Sequence, residues 1–546
     1  MMQRRTFLKS SAALGAISFI PWKNGRPSMP VADPPSDDWM QDAVAEARSL
    51  GADHAEALYV SQRQHSSQVR KDTVHSISDN EEAGVSLRVR LAAGFGTASV
   101  ASAKQGTPSE LARMAVETAK TGVVQQQSGE SRNAAPSRKN AAQPSLMTDT
   151  LGSALGWNQG PVRGSWRPEG IQDPFLTDLG ERIAFLKDLN KTAVRMTQIP
   201  YAVANQFLQR RSSIYVDSLG SRIEQTQYAT YVNFAVTAFD QQKRRMDTRT
   251  SEREALATDW SGATANMRSE LETAMQEVLR IQQADSVTPD SYDLVIHPTM
   301  LWNLFLETLL PHFDPRQLLE RDGRQPGDRW LTLAKLSERP LHSEALHLRW
   351  DNTLPGGLAT SGWDDSGIKC GSTELLGASG VVGRIPISSD LIASDSVYGA
   401  GFPGMNFSRA ASWYTPSTVA IPNMVLEGGP GKNIDDLIGG VDNGLFLKGR
   451  GTVMTNPAKT LFRVRPQAAW IIRGGKLAEM VRDVEIETST EQFWNALVEA
   501  GRAEDTFLGG DLFPRRAFPL WETPFSIATP PALFRNIPVY RTESQS

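Results

Sequence analysis

The apolar positions of the chain fall into two periods that alternate along its first half. Residues 37–50 carry Trp39, Met40, Ala43, Val44 and Ala47 at helical spacing, which predicts an amphipathic helix. Runs at 55–61, 67–76, 84–90 and 94–99 then alternate apolar with polar and are punctuated by turn residues. They predict an antiparallel meander with one face wet. A second amphipathic helix follows at 109–120. The order then repeats. Asp178 with Glu181 three residues later reads as a helix N-cap with its capping box, opening a helix that runs to about Met196. Strand-like runs return at 202–209, 213–216, 220–225 and 228–239, with Ser218, Leu219 and Gly220 as the turn. Helix, meander, helix, meander suggests one sheet-based N-terminal region. Residues 263–284 form a long helix with Met267, Leu271, Ala274, Met275, Val278 and Ile281 on one stripe. Beyond Phe313 the chain turns to Gly, Pro and short strand-like runs (377–387, 439–446, 468–473, 481–487), broken by a helix at 490–499.

One stretch stands apart. Residues 294–296 read as a strand leading into His297 and Pro298. From Thr299 to Leu310, Met300, Leu301, Trp302, Leu304, Phe305, Leu306, Leu309 and Leu310 cover nearly the whole helical circumference, which predicts a buried helix. Pro311 disfavours the helical state of Leu310 and should end it. Inside this apolar helix sits one carboxylate, Glu307, and just past its end one imidazole, His312. A buried carboxylate is costly unless it is paired or working.

Size and composition narrow the classes. At 546 residues the chain needs more than one core. A net charge of −4 with mixed signs gives no electrostatic footprint for nucleic acid or an anionic membrane. The single cysteine, Cys370, excludes an intramolecular disulfide and any multi-cysteine metal site within the chain. Gln3-Arg4-Arg5-Thr6-Phe7-Leu8-Lys9 matches the twin-arginine export pattern, and the apolar stretch after it, 12–22, is too short to span a bilayer. The organisation that follows is a signal segment at 1–30, an α+β module at 36–122, a polar linker at 123–165, a second α+β segment at 166–250 and a large β-rich domain at 251–546. Export to the periplasm or another extracytoplasmic space is the expected destination.

Several stretches together resemble the TldD/PmbA family of metallopeptidases, once named modulators of DNA gyrase. They are 294–302 (LVIHPTMLW), 353–360 (TLPGGLAT) followed by Asp364-Asp365-Ser366-Gly367, Arg482-Asp483-Val484 with Phe493-Trp494, Gly51-Ala52-Asp53 with the 84–90 strand, and 161–175. The resemblance implies a two-lobed α/β (α+β) fold that assembles as a homodimer or heterodimer, with zinc-dependent peptidase activity in the competent subunit. The family carries H-E-x-x-x-H on the helix after the Leu-Trp pair and takes a later cysteine ligand. A catalytic zinc uses three protein donors and leaves a position for water, whose pKa falls from about 15.7 to about 7.

Laid on that pattern, this chain has Glu307, but Leu306 and Pro311 stand in the two histidine slots. Pro514 stands in the cysteine slot. None can bind a metal, so no cofactor is expected, and Glu307 reads as the remnant of a general base or as a structural ion pair. A relocated zinc site built from His297, Glu307 and His312 is the alternative; the plainer reading makes His297 a strand-end cap and His312 a surface loop residue. His342 and His347 lack a helical frame, and Cys370 lacks a nucleophile signature. Three functions remain: a non-catalytic subunit beside an active homologue in peptide proteolysis, a peptidase with the relocated site, or a peptide-binding pseudoenzyme that captures strands in its cleft.

Overall fold

A computed structural model describes residues 34–91, 94–101, 106–129, 160–314, 331, 341–377, 385–387, 404–514 and 523–542. The twin-arginine segment and most of the expected linker lie outside the described residues.

The N lobe is one seven-stranded sheet, ordered β3-β2-β1-β5-β6-β4 with β7 on the flank of β6. Its strands are β1 (His54–Arg70), β2 (Thr73–Leu91), β3 (Gly94–Val100), β4 (Arg163–Trp166), β5 (Tyr201–Asp217), β6 (Arg222–Asp240) and β7 (Arg245–Thr250). β1 pairs antiparallel with both β2 and β5, so the two meanders are joined in a single sheet. The short runs read from the sequence merge into long strands. Their apolar ends lie under two separate helix pairs, and the polar middle had hidden the continuity. At one end Ala55, Ala57 and Tyr59 pack under α1 (Asp37–Ser49) and α2 (Pro108–Gly129). At the other, Val69, Ala204 and Leu208 pack under α3 (Leu179–Val194). Between them the buried Gln206 amide donates to Ser67 Oγ at 2.6 Å.

Two boundaries differ from the sequence reading. α2 continues to Gly129, into the segment expected to be linker. After the short α4 (Trp260–Thr264), the stripe of α5 (Met267–Gln283) packs on N-lobe residues Val232 and Phe234. The N-lobe core therefore extends past residue 250.

The expected wet face is covered. Helices take one side of the sheet and C-lobe segments the other. Arg88 donates to Ser366 Oγ at 2.9 Å and the Ser417 carbonyl at 3.1 Å. Arg211 pairs with Asp365 at 2.6 Å, and the Gln225 amide reaches the Trp363 carbonyl at 3.0 Å. Polar residues that alternation assigned to solvent are interface residues here.

The C lobe holds a ten-stranded and a five-stranded sheet. The larger is centred on β9 (Asp290–Ile296), which follows the short β8 (Asp285–Ser286). The smaller has the order β11-β10-β16-β25-β24. Its strands are β10 (Leu348–Asp351), β11 (Ser372–Leu376), β16 (Met424–Leu426), β24 (Phe507–Asp511) and β25 (Phe525–Thr529), counting two two-stranded pieces in between, β12 (Ile385–Ile387) with β13 (Gly404–Asn406) and β14 (Ser408–Arg409) with β15 (Thr418–Val419). β9 lies between β17 (Asn443–Lys448), parallel, and β26 (Ala532–Arg541), antiparallel. It delivers the chain into α6 (Pro298–Leu304), which is buried throughout. Trp494 meets Phe305 edge-on with ring centres 5.6 Å apart, and Phe493 stacks on Phe534 at 4.4 Å. Such aromatic pairs add about 0.5–1.5 kcal/mol beyond their burial.

β3 touches α2 at Gly96, where a Cβ would lie 2.0 Å from the Ala115 carbonyl oxygen and 2.3 Å from the Ala119 nitrogen. Both obstacles are backbone, so neither can swing aside. Gly96→Ala should lower stability by about 2 kcal/mol or more, read as a shift in the urea midpoint.

Candidate functional site

His297 caps α6, and Pro298 fills the first helical position, where its missing N–H costs nothing. At Phe305 the helix widens into a π-turn that runs to Leu309, and the Leu310 N–H bonds back to the Phe305 carbonyl. A 3-10 turn, Leu310–Phe313, then carries Pro311 and His312. The helix therefore does not stop at Leu310; it changes pitch around a proline that cannot donate. Thr308 ties the widened turn down. Its hydroxyl donates to the Leu304 carbonyl at 2.6 Å and accepts the Trp494 indole N–H at 3.0 Å.

Leu306 lies one turn beyond Trp302, whose indole donates to the Gly509 carbonyl at 2.9 Å. That contact locks the helix against β24, the strand that leads on to Pro514. Leu306, Pro311 and Pro514 are all buried. None of them offers a lone pair to a metal. The family's zinc therefore does not fit these residues, and no chemical step is derived through it.

Glu307 is not buried in the apolar helix as the sequence suggested. Its side chain is 36% exposed and pairs with Lys459 at 3.2 Å. An outward-facing pair of this kind is worth about 0–1 kcal/mol. His312 is not a surface loop residue; it is buried, with Nε2 3.1 Å from the Lys459 carbonyl. His297 faces elsewhere. Its Nδ1 lies 2.9 Å from the Thr299 hydroxyl and 3.8 Å from Glu252. Ten residues of helix separate it from Glu307, roughly 15 Å of rise. The structure thus brings Glu307 and His312 to Lys459 and leaves His297 in another wall. Among the described residues no group of three or more His, Cys, Asp or Glu is placed to hold a metal ion. Burial pushes the Cys370 thiol up to about 12, and its sulfur sits 3.3 Å from Ser361 Oγ, so it is no ready thiolate.

The cavity of the molecule that gathers chemistry lies between the lobes. It has a volume of ≈ 510 Å³ and is walled by β6, β7, the 252–256 segment and α5 on one side, and by His297, Thr299, Lys448 and 506–508 on the other. Arg249, 1% exposed, pairs with Glu277 at 2.6 Å and Glu252 at 2.9 Å. Lys448 meets the same two carboxylates at 3.0 and 3.1 Å. Two cations thus close on two anions across the lobes. Burial in this wall pushes the His297 imidazole down to about 4, with Glu252 opposing the shift. It is neutral near pH 7.

Glu254 differs from its neighbours. It lines the cavity at 7% exposure and pairs with Arg450 at 2.8 Å through Oε1 alone. Burial, aided by Asp511 and opposed by Arg450, pushes its carboxyl up to about 7. Sequence reasoning missed this whole cluster. Its only trace is the density of charge in 249–254 (RTSERE) and at Lys448 and Arg450.

A two-lobed α/β protein with a charged interlobe cleft and a buried helix entered from a central strand is the class that the fold and the cleft define. The match to known proteins is narrower. Residues 289–541 match the family model described as the PmbA/TldA metallopeptidase C-terminal domain. That part of the chain, residues 289–541, is assigned to the TldD/PmbA family. It is 23% identical over 320 residues to a metalloprotease of Synechocystis, and 26% identical over 211 residues to one of Methanothermobacter thermautotrophicus. These alignments cover 57% and 39% of this chain, and 64% and 43% of the two curated relatives. The fold is similar to TldE of Thermococcus kodakarensis, with a TM-score of 0.63 at 16% identity over 92% of this chain and 99% of that one. It is also similar to a candidate modulator of DNA gyrase from Thermotoga maritima, with a TM-score of 0.64 at 14% identity and the same coverage.

Glu254 gives a pH signature. Its folded carboxyl binds a proton more tightly than the unfolded one, about 7 against 4.5. Its contribution to stability is therefore complete below the unfolded value and lost as pH rises through about 7. Glu254→Gln removes the titration. The variant should gain on the parent between pH 5 and pH 8, by on the order of 2 kcal/mol, in urea melts at a series of pH values. A pH-independent difference would contradict this account of the cleft.

Proposed function

We propose that this chain is a TldD/PmbA-family subunit that binds peptide in its interlobe cleft and leaves metal chemistry to a metal-bearing homologue. The observation that carries the reading is the replacement of three donor slots by Leu306, Pro311 and Pro514 in a fold otherwise kept whole around them. Leucine and proline pack well there and cannot act as Lewis bases. Glu307 alone cannot supply the loss: lowering a water's pKa from about 15.7 to about 7 corresponds to about 12 kcal/mol. Peptide binding is favoured by the outer edge of β24, whose Phe507 and Leu508 line the cleft and pair with no strand on that side among the described residues. An extended chain can use such an edge for main-chain hydrogen bonds. The twin-arginine pattern at residues 3–9 supports a site of action outside the cytoplasm.

The test is metal analysis of the purified protein together with affinity capture from its native host. The expected result is no stoichiometric zinc and co-purification of a homologue with an intact H-E-x-x-x-H. One zinc per chain, lost in Glu307→Ala or His312→Ala and accompanied by peptide hydrolysis by the chain alone, would overturn the reading.

A further inference from the structure

The free edge of β24 is short, and its end has a definite chemistry. β24 forms its ladder with β25 on one side. On the other side the N lobe reaches it once, at the bridge between Ala255 and Gly510. The approach is tight. A Cβ on Gly509 would lie 2.8 Å from the Trp302 indole nitrogen and 2.9 Å from the Glu254 Cβ. Because the bridge is antiparallel, Leu256 follows Ala255 back alongside Gly509, so a chain laid along Thr506, Phe507 and Leu508 would meet the N-lobe segment there, with the Glu254 side chain beside Gly509, and could go no further. An occupant of this edge must end there.

Glu254 is what it would end against. Its Oε1 lies 2.8 Å from Arg450 Nε yet is buried without a hydrogen-bond partner among the described residues, so the carboxyl group keeps unused acceptor capacity. The side chain is more than nine-tenths buried and lines the cleft. A terminal carboxylate arriving at this point would repel it. A terminal ammonium would supply the missing donor and a compensating charge in a place shielded from water, where such a bond is strongest.

We propose that the cleft recognises the free amino terminus of an extended peptide, which pairs with the open edge of β24 and sets its ammonium on Glu254. With its first residue at Gly509 and its chain leading back toward Thr506, the peptide runs antiparallel to β24. This rests on the reading that the cleft binds peptide, and it adds end-selectivity: internal segments and blocked termini are poor ligands. Burial and the neighbouring Asp511, which raise the Glu254 carboxyl toward neutrality in the empty cleft, are what a cationic ligand would relieve.

The experiment uses the full chain and two lysine-free peptides of one sequence, dye-labelled at the carboxyl end, one with a free and one with an acetylated amino terminus. Fluorescence anisotropy at pH 7 reads the affinities. Acetylation should weaken binding roughly ten- to a hundredfold. Glu254→Gln should bind the free peptide as weakly as the parent binds the acetylated one. Equal affinity of the parent for both peptides would overturn the end-selectivity and leave peptide binding standing. A preference that survives in Glu254→Gln would place the ammonium elsewhere and overturn the assignment. Binding of neither peptide would overturn this inference and the peptide-binding reading together.

Discussion

The contact on which the geometry depends is the four-charge knot between the lobes. Arg249 and Lys448 each touch both Glu252 and Glu277 within 3.1 Å. Taking such ions out of water costs several kcal/mol each, and the cost is offset only while every partner is in place. Removing one would leave an uncompensated buried charge. The knot therefore fixes one placement of the C lobe against the N-lobe sheet. That placement creates the cleft, sets the β24 edge beside the 252–256 segment and leaves Glu254 with one cation, Arg450, among the described residues.

The helical stretch after β9 is placed by packing rather than by its charged residues. Its position is set by apolar and aromatic packing and by two indole hydrogen bonds, Trp302 to Gly509 and Trp494 to Thr308. None of these needs a metal. Leucine at 306 adds to the buried cluster, and Pro311 is accommodated by a π-turn followed by a 3-10 turn. Glu307 remains on the outer side of that turn and is held by Lys459. Leu306 and Pro311 are packing residues here, and Glu307 forms a surface pair.

The sequence revealed most of the helices, the turn at 218–220, the buried helix after β9 and the family resemblance, because each depends on local periodicity or on a short run of residues; the helix read over 490–499 instead stops at Asn495 and gives way to a strand, Leu497–Ala500, that pairs with β26. It concealed what depends on distant partners. The polar middle of β1 looked like a break because Ser67 and its neighbours find their partners on β5. The covered face of the N-lobe sheet looked wet because Arg88 and Arg211 bond to residues more than 150 positions away. Glu254 was invisible for the same reason: Arg450 and the β24 edge are distant in sequence and meet it only once the lobes close.

The central claim is that positions 306, 311 and 514 form the family's metal slot, emptied of donors. The most direct test restores them. The triple variant Leu306→His, Pro311→His, Pro514→Cys should bind zinc at one per chain by elemental analysis and titration, while the parent binds none. A natively folded triple variant that takes up no zinc, or a parent that already holds it, would contradict the account.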